Sequence, residues 1–260
     1  METNYPILKK LLIFLAFFSE SLSANPLYLG VEPEKYLIGD FSPEKYFQKY
    51  EGKKDKDNIY LRKDTIKALG KMLSDFDKER ENKSKQHVFL ISAFRSFAYQ
   101  KGIWEGKYRG DIKMREPIKG KSPEEIISII LQYSSAPGTS RHHWGTDFDI
   151  NVLKNDYYRE NGGGEYLYKW LKKNAAKYGF CQPYNEYDKR NNKGYFEERW
   201  HWSYAPIANL LVADWIAYNK KGLLKFSGRF LASEHLKKLP EDYVTSINKE
   251  CNEIQSPHFD

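Results

Sequence analysis

The sequence predicts an α+β fold: a single domain with a central, mainly antiparallel sheet flanked by helices. Two observations lead there. Strand-like runs at 87–94, 147–153 and 198–206 are interleaved with helical stretches, but without the regular strand–helix alternation of parallel βαβ units. The 260 residues, 40% hydrophobic and 16% aromatic, are enough for one good-sized core; two small domains are possible but not required.

In chain order, the N-terminus places Lys9 and Lys10 before an apolar run from Leu11 to Phe18, followed by small and polar residues up to Ala24. A basic start, a short apolar stretch and small residues make residues 1–24 a predicted secretory signal. The run is far shorter than the ~20 residues a membrane-spanning helix needs, so no stable span is expected once the signal is removed. A buried N-terminal helix or an interfacial anchor is the competing reading. Residues 25–58, rich in Pro, Gly, Tyr and Lys without a period, read as an irregular segment wrapping the domain that follows over 59–224.

Within that domain, Ile66, Leu69, Met72, Leu73 and Phe76 recur at helical spacing and predict a helix over 63–80, capped by Asp64 or Thr65. The apolar run "HVFLISAF" predicts a buried strand over 87–94, and 95–108 suits a helix. Ser122 and Pro123 with two glutamates open a helix over 122–134, as N-cap and first-turn residues do. "DFDINVL" reads as a strand, and 162–180 as a glycine-started helix ending at Gly179. A strand over 198–206 is stopped by Pro206, and 207–224 forms a last apolar helix; the 225–260 extension is weakly patterned.

The net charge of +7 permits an anionic partner, but Lys and Arg are interleaved with Asp and Glu. No basic helix, aromatic RNA-binding signature or zinc-finger spacing is present, so nucleic acid is not an expected partner. Cys181 and Cys251 could form a disulfide in an exported protein or remain two buried thiols.

Chemistry concentrates in two clusters, "SRHHWGTDFD" (140–149) and "EERWHW" (197–202). Gly138 and Gly145 bracket the first pair of histidines and permit sharp turns. Beyond Thr146 the period of two puts Asp147 and Asp149 on one strand face and Phe148 on the other, while His201 faces away from Trp200 and Trp202. If the two strands are neighbours, a loop histidine, Asp149 and His201 can converge as two His and one carboxylate, the arrangement of a catalytic zinc with an open position. Glu198, three before His201, must then sit on a bend entering the strand. The bland reading, in which these histidines cap turns and pack against Trp144 and Trp200, stays open on composition alone.

The stretch 140–149 resembles the Ser-x-His-x-x-Gly-x-x-x-Asp signature of the VanY-like D-alanyl-D-alanine carboxypeptidases, whose superfamily includes lysostaphin-type peptidases and the hedgehog signalling domain. Glu198-Arg199-Trp200-His201 is similar to the family's Glu-x-Trp-His motif. "SAFRSFAYQ" (92–100) is similar to its Arg-Ser pair with a Gln five residues beyond the Arg. The three motifs stand in the family's order. The resemblance implies a hedgehog and D,D-peptidase-like fold, with His142, Asp149 and His201 as ligands of one Zn2+ and Glu198 as catalytic base. It implies that Arg95 receives the substrate's terminal carboxylate, with Ser140 and Gln100 supporting the substrate pocket. His143 is the nearest rival to His142, but only His142 has the family's spacing to Asp149. Many members carry Ala where this chain has Asp147, which is either an acceptor for a ligand histidine or an exposed strand charge. Glu197 reads as a solvated neighbour of Glu198.

The implied function is an exported D,D-carboxypeptidase of the periplasm or cell envelope, monomeric, that removes the terminal D-alanine from peptidoglycan stem peptides by attack of a zinc-bound water. L,D-carboxypeptidase or endopeptidase activity, or a non-catalytic wall-binding module, are the alternatives on the same fold.

Overall fold

The computed structural model describes residues 25–52, 58–81, 83–237 and 239–257; the expected signal at 1–24 lies outside the described residues. Four strands form the central sheet: β3 (Leu90–Ser92), β4 (Asp147–Ile150), β5 (Phe180–Cys181) and β6 (His201–Tyr204), in the antiparallel order β3-β4-β6-β5. A two-stranded ribbon pairs β1 (Gln48–Lys49) with β2 (Tyr60–Leu61). Among the described residues seven helices surround these strands: α1 (Pro33–Ile38), α2 (Lys63–Arg80), α3 (Phe97–Arg109), α4 (Pro123–Leu131), α5 (Glu165–Asn174), α6 (Ala205–Lys220) and α7 (Leu239–Thr245).

The alternation along β4 and β6 decides what each sheet face carries. Phe148, Ile150, Trp202 and Tyr204 point to one side and join Leu69, Met72 and Phe76 of α2 and Leu167, Trp170 and Leu171 of α5 in one apolar core. Asp147, Asp149, His201 and Ser203 point to the other side. A second apolar core, built on α1, α3, α4 and α6, flanks that polar face. Placing four polar side chains on a buried face is tolerable only if each finds partners, and that requirement shapes the site.

The predicted helix over 63–80 is realised with those bounds, but its N-cap is Arg62 without a side-chain cap, and Asp64 sits in the first turn instead. The helix opened by Ser122 has the full reciprocal capping box with Glu125, and it stops at Leu131, short of the expected 134. The predicted strands are shorter than expected. Only Leu90–Ser92 of 87–94 pairs, and β4 ends where Asn151 takes a left-handed φ of 50°. The helix expected over 162–180 is regular over Glu165–Asn174 and finishes as a tighter turn, with Gly179 left-handed at φ 84°. Pro206 ends the last strand and also opens α6, where its missing N–H costs nothing. The 25–58 segment, expected to be irregular, holds the helix α1 and one strand of the small ribbon.

Cys181 and Cys251 form a disulfide, with Cα atoms 5.5 Å apart, closing a separation of 70 residues. It ties the C-terminal segment to the edge strand β5. Of the two readings open in the sequence, the bonded one holds.

Candidate active site

The turn before β4 carries the first histidine pair. Arg141–Trp144 forms a 3-10 turn capped by Ser140 and Gly145, with Gly138 and Gly145 in the left-handed region at φ 86° and 69°, as a sharp approach requires. This turn lifts His142 over the polar sheet face. Antiparallel pairing sets Asp149 of β4 directly opposite His201 of β6. One ligand atom each from His142, Asp149 and His201 then lies within 4.8 Å of the others, and all three residues are buried.

Hydrogen bonds fix which ring nitrogen faces that point. His142 Nδ1 lies 2.7 Å from the Ala93 carbonyl, an acceptor only, so Nδ1 carries the proton and donates. Its Nε2, left with a lone pair, faces Asp149 Oδ2 at 3.5 Å. His201 Nε2 lies 3.0 Å from Asp147 Oδ2, which turns Nδ1 toward Asp149 Oδ1 at 3.5 Å. Asp149 Oδ1 is buried without a hydrogen-bond partner among the described residues. The His142 lone pair, the Nδ1 edge of His201 and an under-satisfied carboxylate oxygen converge on one point and fit a single Zn2+ with a position left open, once His201 gives up its Nδ1 proton.

Asp147 is not an exposed strand charge. It is fully buried, and it accepts from Arg141 Nε at 2.9 Å, Ser203 Oγ at 2.7 Å and Thr146 Oγ1 at 2.7 Å besides facing His201. Arg141, also fully buried, donates through Nη2 to Ser203 Oγ at 2.7 Å. Burial opposes ionisation of Asp147, but the Arg141 charge and His201 outweigh it and hold the carboxyl well below the usual range. His143 stands outside the convergence. Its Nδ1 donates to the Arg95 carbonyl at 2.6 Å and its Nε2 accepts from the Gly138 N–H at 3.0 Å. Burial pushes His143 down to about 3, so it stays neutral as a tie between two loops.

Glu198 sits on the bend entering β6, with its Oε2 3.0 Å from His201 Nδ1. Burial raises its carboxyl above the ordinary value, against the pull of His201. Burial and the Arg95 charge lower His142 to about 4. For His201 burial also disfavours the charged form, but hydrogen bonds to Asp147 and Glu198 prevail and raise it to about 9. Glu197, read as a solvated neighbour, is instead half-buried and accepts from Arg199 Nε at 2.9 Å.

These groups face a cavity of about 450 Å3 lined by Arg95, His142, Asp149, Glu198 and His201, with Tyr184 and Tyr195 beside them. Tyr184 packs its ring edge-on against His201 at 4.8 Å. Arg95 donates through Nη2 to Asp149 Oδ2 and through Nε to Ser92 Oγ at 2.8 Å, and its side chain remains 18% exposed toward the cavity. Ser140 and Gln100 are not in the wall. Both are buried, Ser140 Oγ and Gln100 Oε1 lack partners among the described residues, and Gln100 Nε2 holds the carbonyl of the wall residue Ser135 at 2.8 Å. The exposed apolar side chains Tyr99, Ile112 and Leu153 line the cavity.

Arg141 and Tyr184 were not singled out in the sequence. A signal for Arg141 existed, because an aspartate on the same strand face as a ligand needs a buried cation, and Arg141 is the basic residue of the adjoining turn.

The site therefore combines a mononuclear metal-binding triad with an adjacent carboxylate suited to proton transfer, in a cavity sized for part of a peptide. The family described as VanY, D-alanyl-D-alanine carboxypeptidase, matches residues 58–207. That span covers more than half of the chain, and the chain belongs to this family of carboxypeptidases. No curated protein matches it. Among solved structures it is similar to VanYB in complex with D-alanine-D-alanine, at 21% identity over 73% of this chain and 91% of that one, TM-score 0.45. It is similar to a VanY D,D-pentapeptidase of a VanB-type resistance cassette in complex with Zn(II), at 21% identity over 61% and 82%, TM-score 0.44. It is also similar to the LdcB LD-carboxypeptidase, at 23% identity over 74% and 91%, TM-score 0.47.

Proposed function

We propose that the chain is an exported zinc D,D-carboxypeptidase that removes the C-terminal D-alanine from peptidoglycan stem peptides. The observation that carries the reading is the placement of Glu198 beside a three-ligand set, on the wall of one cavity that also presents Arg95.

His142, Asp149 and His201 would hold the ion, with His142 and His201 presenting Nε2 and Nδ1 respectively. Zinc bound there supplies a Lewis acid that polarises a peptide carbonyl and acidifies a water. Glu198, its proton affinity raised by burial, takes a proton from the attacking water and delivers it to the departing amine of D-alanine. Asp147 holds His201 Nε2 and so turns Nδ1 toward Asp149 and Glu198. Arg95 faces the cavity with a planar guanidinium suited to the terminal carboxylate, and this favours a free C-terminus over an internal cross-link. Gln100 acts through Ser135, and Ser140 Oγ offers a buried hydroxyl behind the wall. The disulfide agrees with an oxidising compartment, and no described helix is long and apolar enough to cross a membrane.

The test is incubation of zinc-loaded protein with pentapeptide and tetrapeptide stems, followed by mass spectrometry. Loss of one alanine from the pentapeptide alone is the expected result. Cleavage of the tetrapeptide alone would replace the D,D reading with an L,D one.

A further inference from the structure

The cavity has acidic groups only at the triad end, where Asp149 and Glu198 stand. The wall built from α3, the loop after it and residues 132–135 is cationic: Lys107, Lys113 and Arg115 all line it. The backbone brings them together. Ile112 N–H donates to the Gly106 carbonyl at 3.0 Å, folding the loop back on α3, and a Cβ at Gly106 would meet Ile112 Cδ1 at 2.8 Å. Two consecutive residues then seat two of the cations. Ser134 Oγ accepts from Lys107 Nζ, while Tyr133 Oη accepts from Arg115 Nη1 at 2.6 Å with the guanidinium 3.9 Å over the same ring. Glu116, next to Arg115, is engaged by Gln132 Nε2 at 2.7 Å and does not line the cavity.

Among the described residues none of these three cations has an ion-pair partner; Lys107 and Arg115 are held by neutral hydroxyls and a ring. Lys107 is the most constrained: burial and the charge of Arg95 lower its proton affinity and outweigh the pull of Glu198, which pairs with His201 instead. A partly buried ammonium held against a neutral hydroxyl is disfavoured unless an anion completes it. The terminal carboxylate is accounted for by Arg95. A stem peptide offers further ones, because its γ-linked glutamate keeps a free α-carboxylate and a dicarboxylic third residue adds another.

We propose that Lys107, with Lys113 and Arg115, forms a second anion subsite that selects peptides bearing a carboxylate on the residues preceding the scissile bond. The inference rests on the carboxypeptidase reading above.

Four pentapeptides ending in D-Ala-D-Ala test it, with D-isoglutamate or D-isoglutamine second, and meso-diaminopimelate or lysine third. The wild-type protein should favour a carboxylate-bearing member over the counterpart that lacks that carboxylate by about tenfold or more in kcat/KM, as charge-assisted hydrogen bonds do. Lys107→Met should bring that ratio close to one, and Lys107→Arg should keep most of it. The pair of peptides showing the ratio identifies which carboxylate is read. A wild-type ratio near one, or a ratio unchanged in Lys107→Met, overturns the subsite. Calorimetric binding of the same peptides to zinc-loaded Glu198→Gln separates the two readings. Carboxylate-dependent binding without cleavage by the wild type would overturn the peptidase reading and keep the subsite, whereas carboxylate-independent binding would overturn the subsite.

Discussion

Replacing Asp147 with Asn perturbs the site without touching a proposed ligand. The change is nearly isosteric, but it removes the one ion-pair partner that Arg141 has among the described residues, at 2.9 Å, and the carboxylate that holds His201 Nε2 at 3.0 Å. Both partners of the Arg141–Asp147 pair have side chains with no exposure, so water cannot compensate the arginine left behind. Breaking a buried pair from one side costs about 3–5 kcal/mol. Loss of an orienting partner of a ligand histidine weakens metal affinity by about 10–100-fold. Urea unfolding of the chelator-stripped protein measures the first quantity, and competition against a zinc chelator measures the second. Arg141→Met combined with Asp147→Asn removes both charges, and should recover much of the stability while leaving zinc affinity weak, because His201 still lacks its acceptor. A single variant that loses less than about 1 kcal/mol and binds zinc as the wild type does would refute the role given to Asp147.

Glu198→Gln should keep zinc and fold but lose turnover by about 100-fold or more, measured by alanine release; near-normal activity removes Glu198 as the base. Arg95→Ala should impair peptides with a free terminal carboxylate far more than their amides, and equal loss in kcat/KM on both would exclude a carboxylate contact. Apparent zinc affinity should rise with pH, because His201 in the metal-free protein holds its proton up to about 9 and must release it to bind. One released proton gives a slope of about tenfold per pH unit below that value, flattening above it; a flat profile from pH 6 to 8 contradicts the raised His201. Reducing the Cys181–Cys251 bond should lower unfolding stability by about 4 kcal/mol, as chain entropy gives for a loop closed over a separation of 70 residues, and an unchanged urea midpoint would show that the bond constrains little.

Much of the architecture follows from local pattern. The period of two along 147–150 separates Asp147 and Asp149 from Phe148, and helical spacing from Ile66 to Phe76 suffices to bound α2. The convergence of the ligands was readable only conditionally, because it needs β4 and β6 to be neighbours in the register that pairs Asp149 with His201. Pairing across a separation of 52 residues leaves no mark in either segment, and the family motifs supplied what periodicity could not. Asp147 was undecidable for the same reason, since its surroundings are Arg141 on a turn and Ser203 on another strand. The short helices α1 and α7 and the two-residue β5 carry too little local signal, and tertiary packing and the disulfide place them. Lys107 was invisible as well: on α3 it reads as one more surface lysine, and only the packing of that helix beside Ser134 puts it on the cavity wall.

The most direct test of the central claim is a zinc titration of chelator-stripped protein, with alanine release from a D-Ala-D-Ala pentapeptide as the readout. Activity should be absent at the start and rise linearly to a plateau at one equivalent of zinc, with no recovery in His201→Ala. Full activity in the stripped protein, or equal recovery in His201→Ala, would contradict a single catalytic ion held by His142, Asp149 and His201.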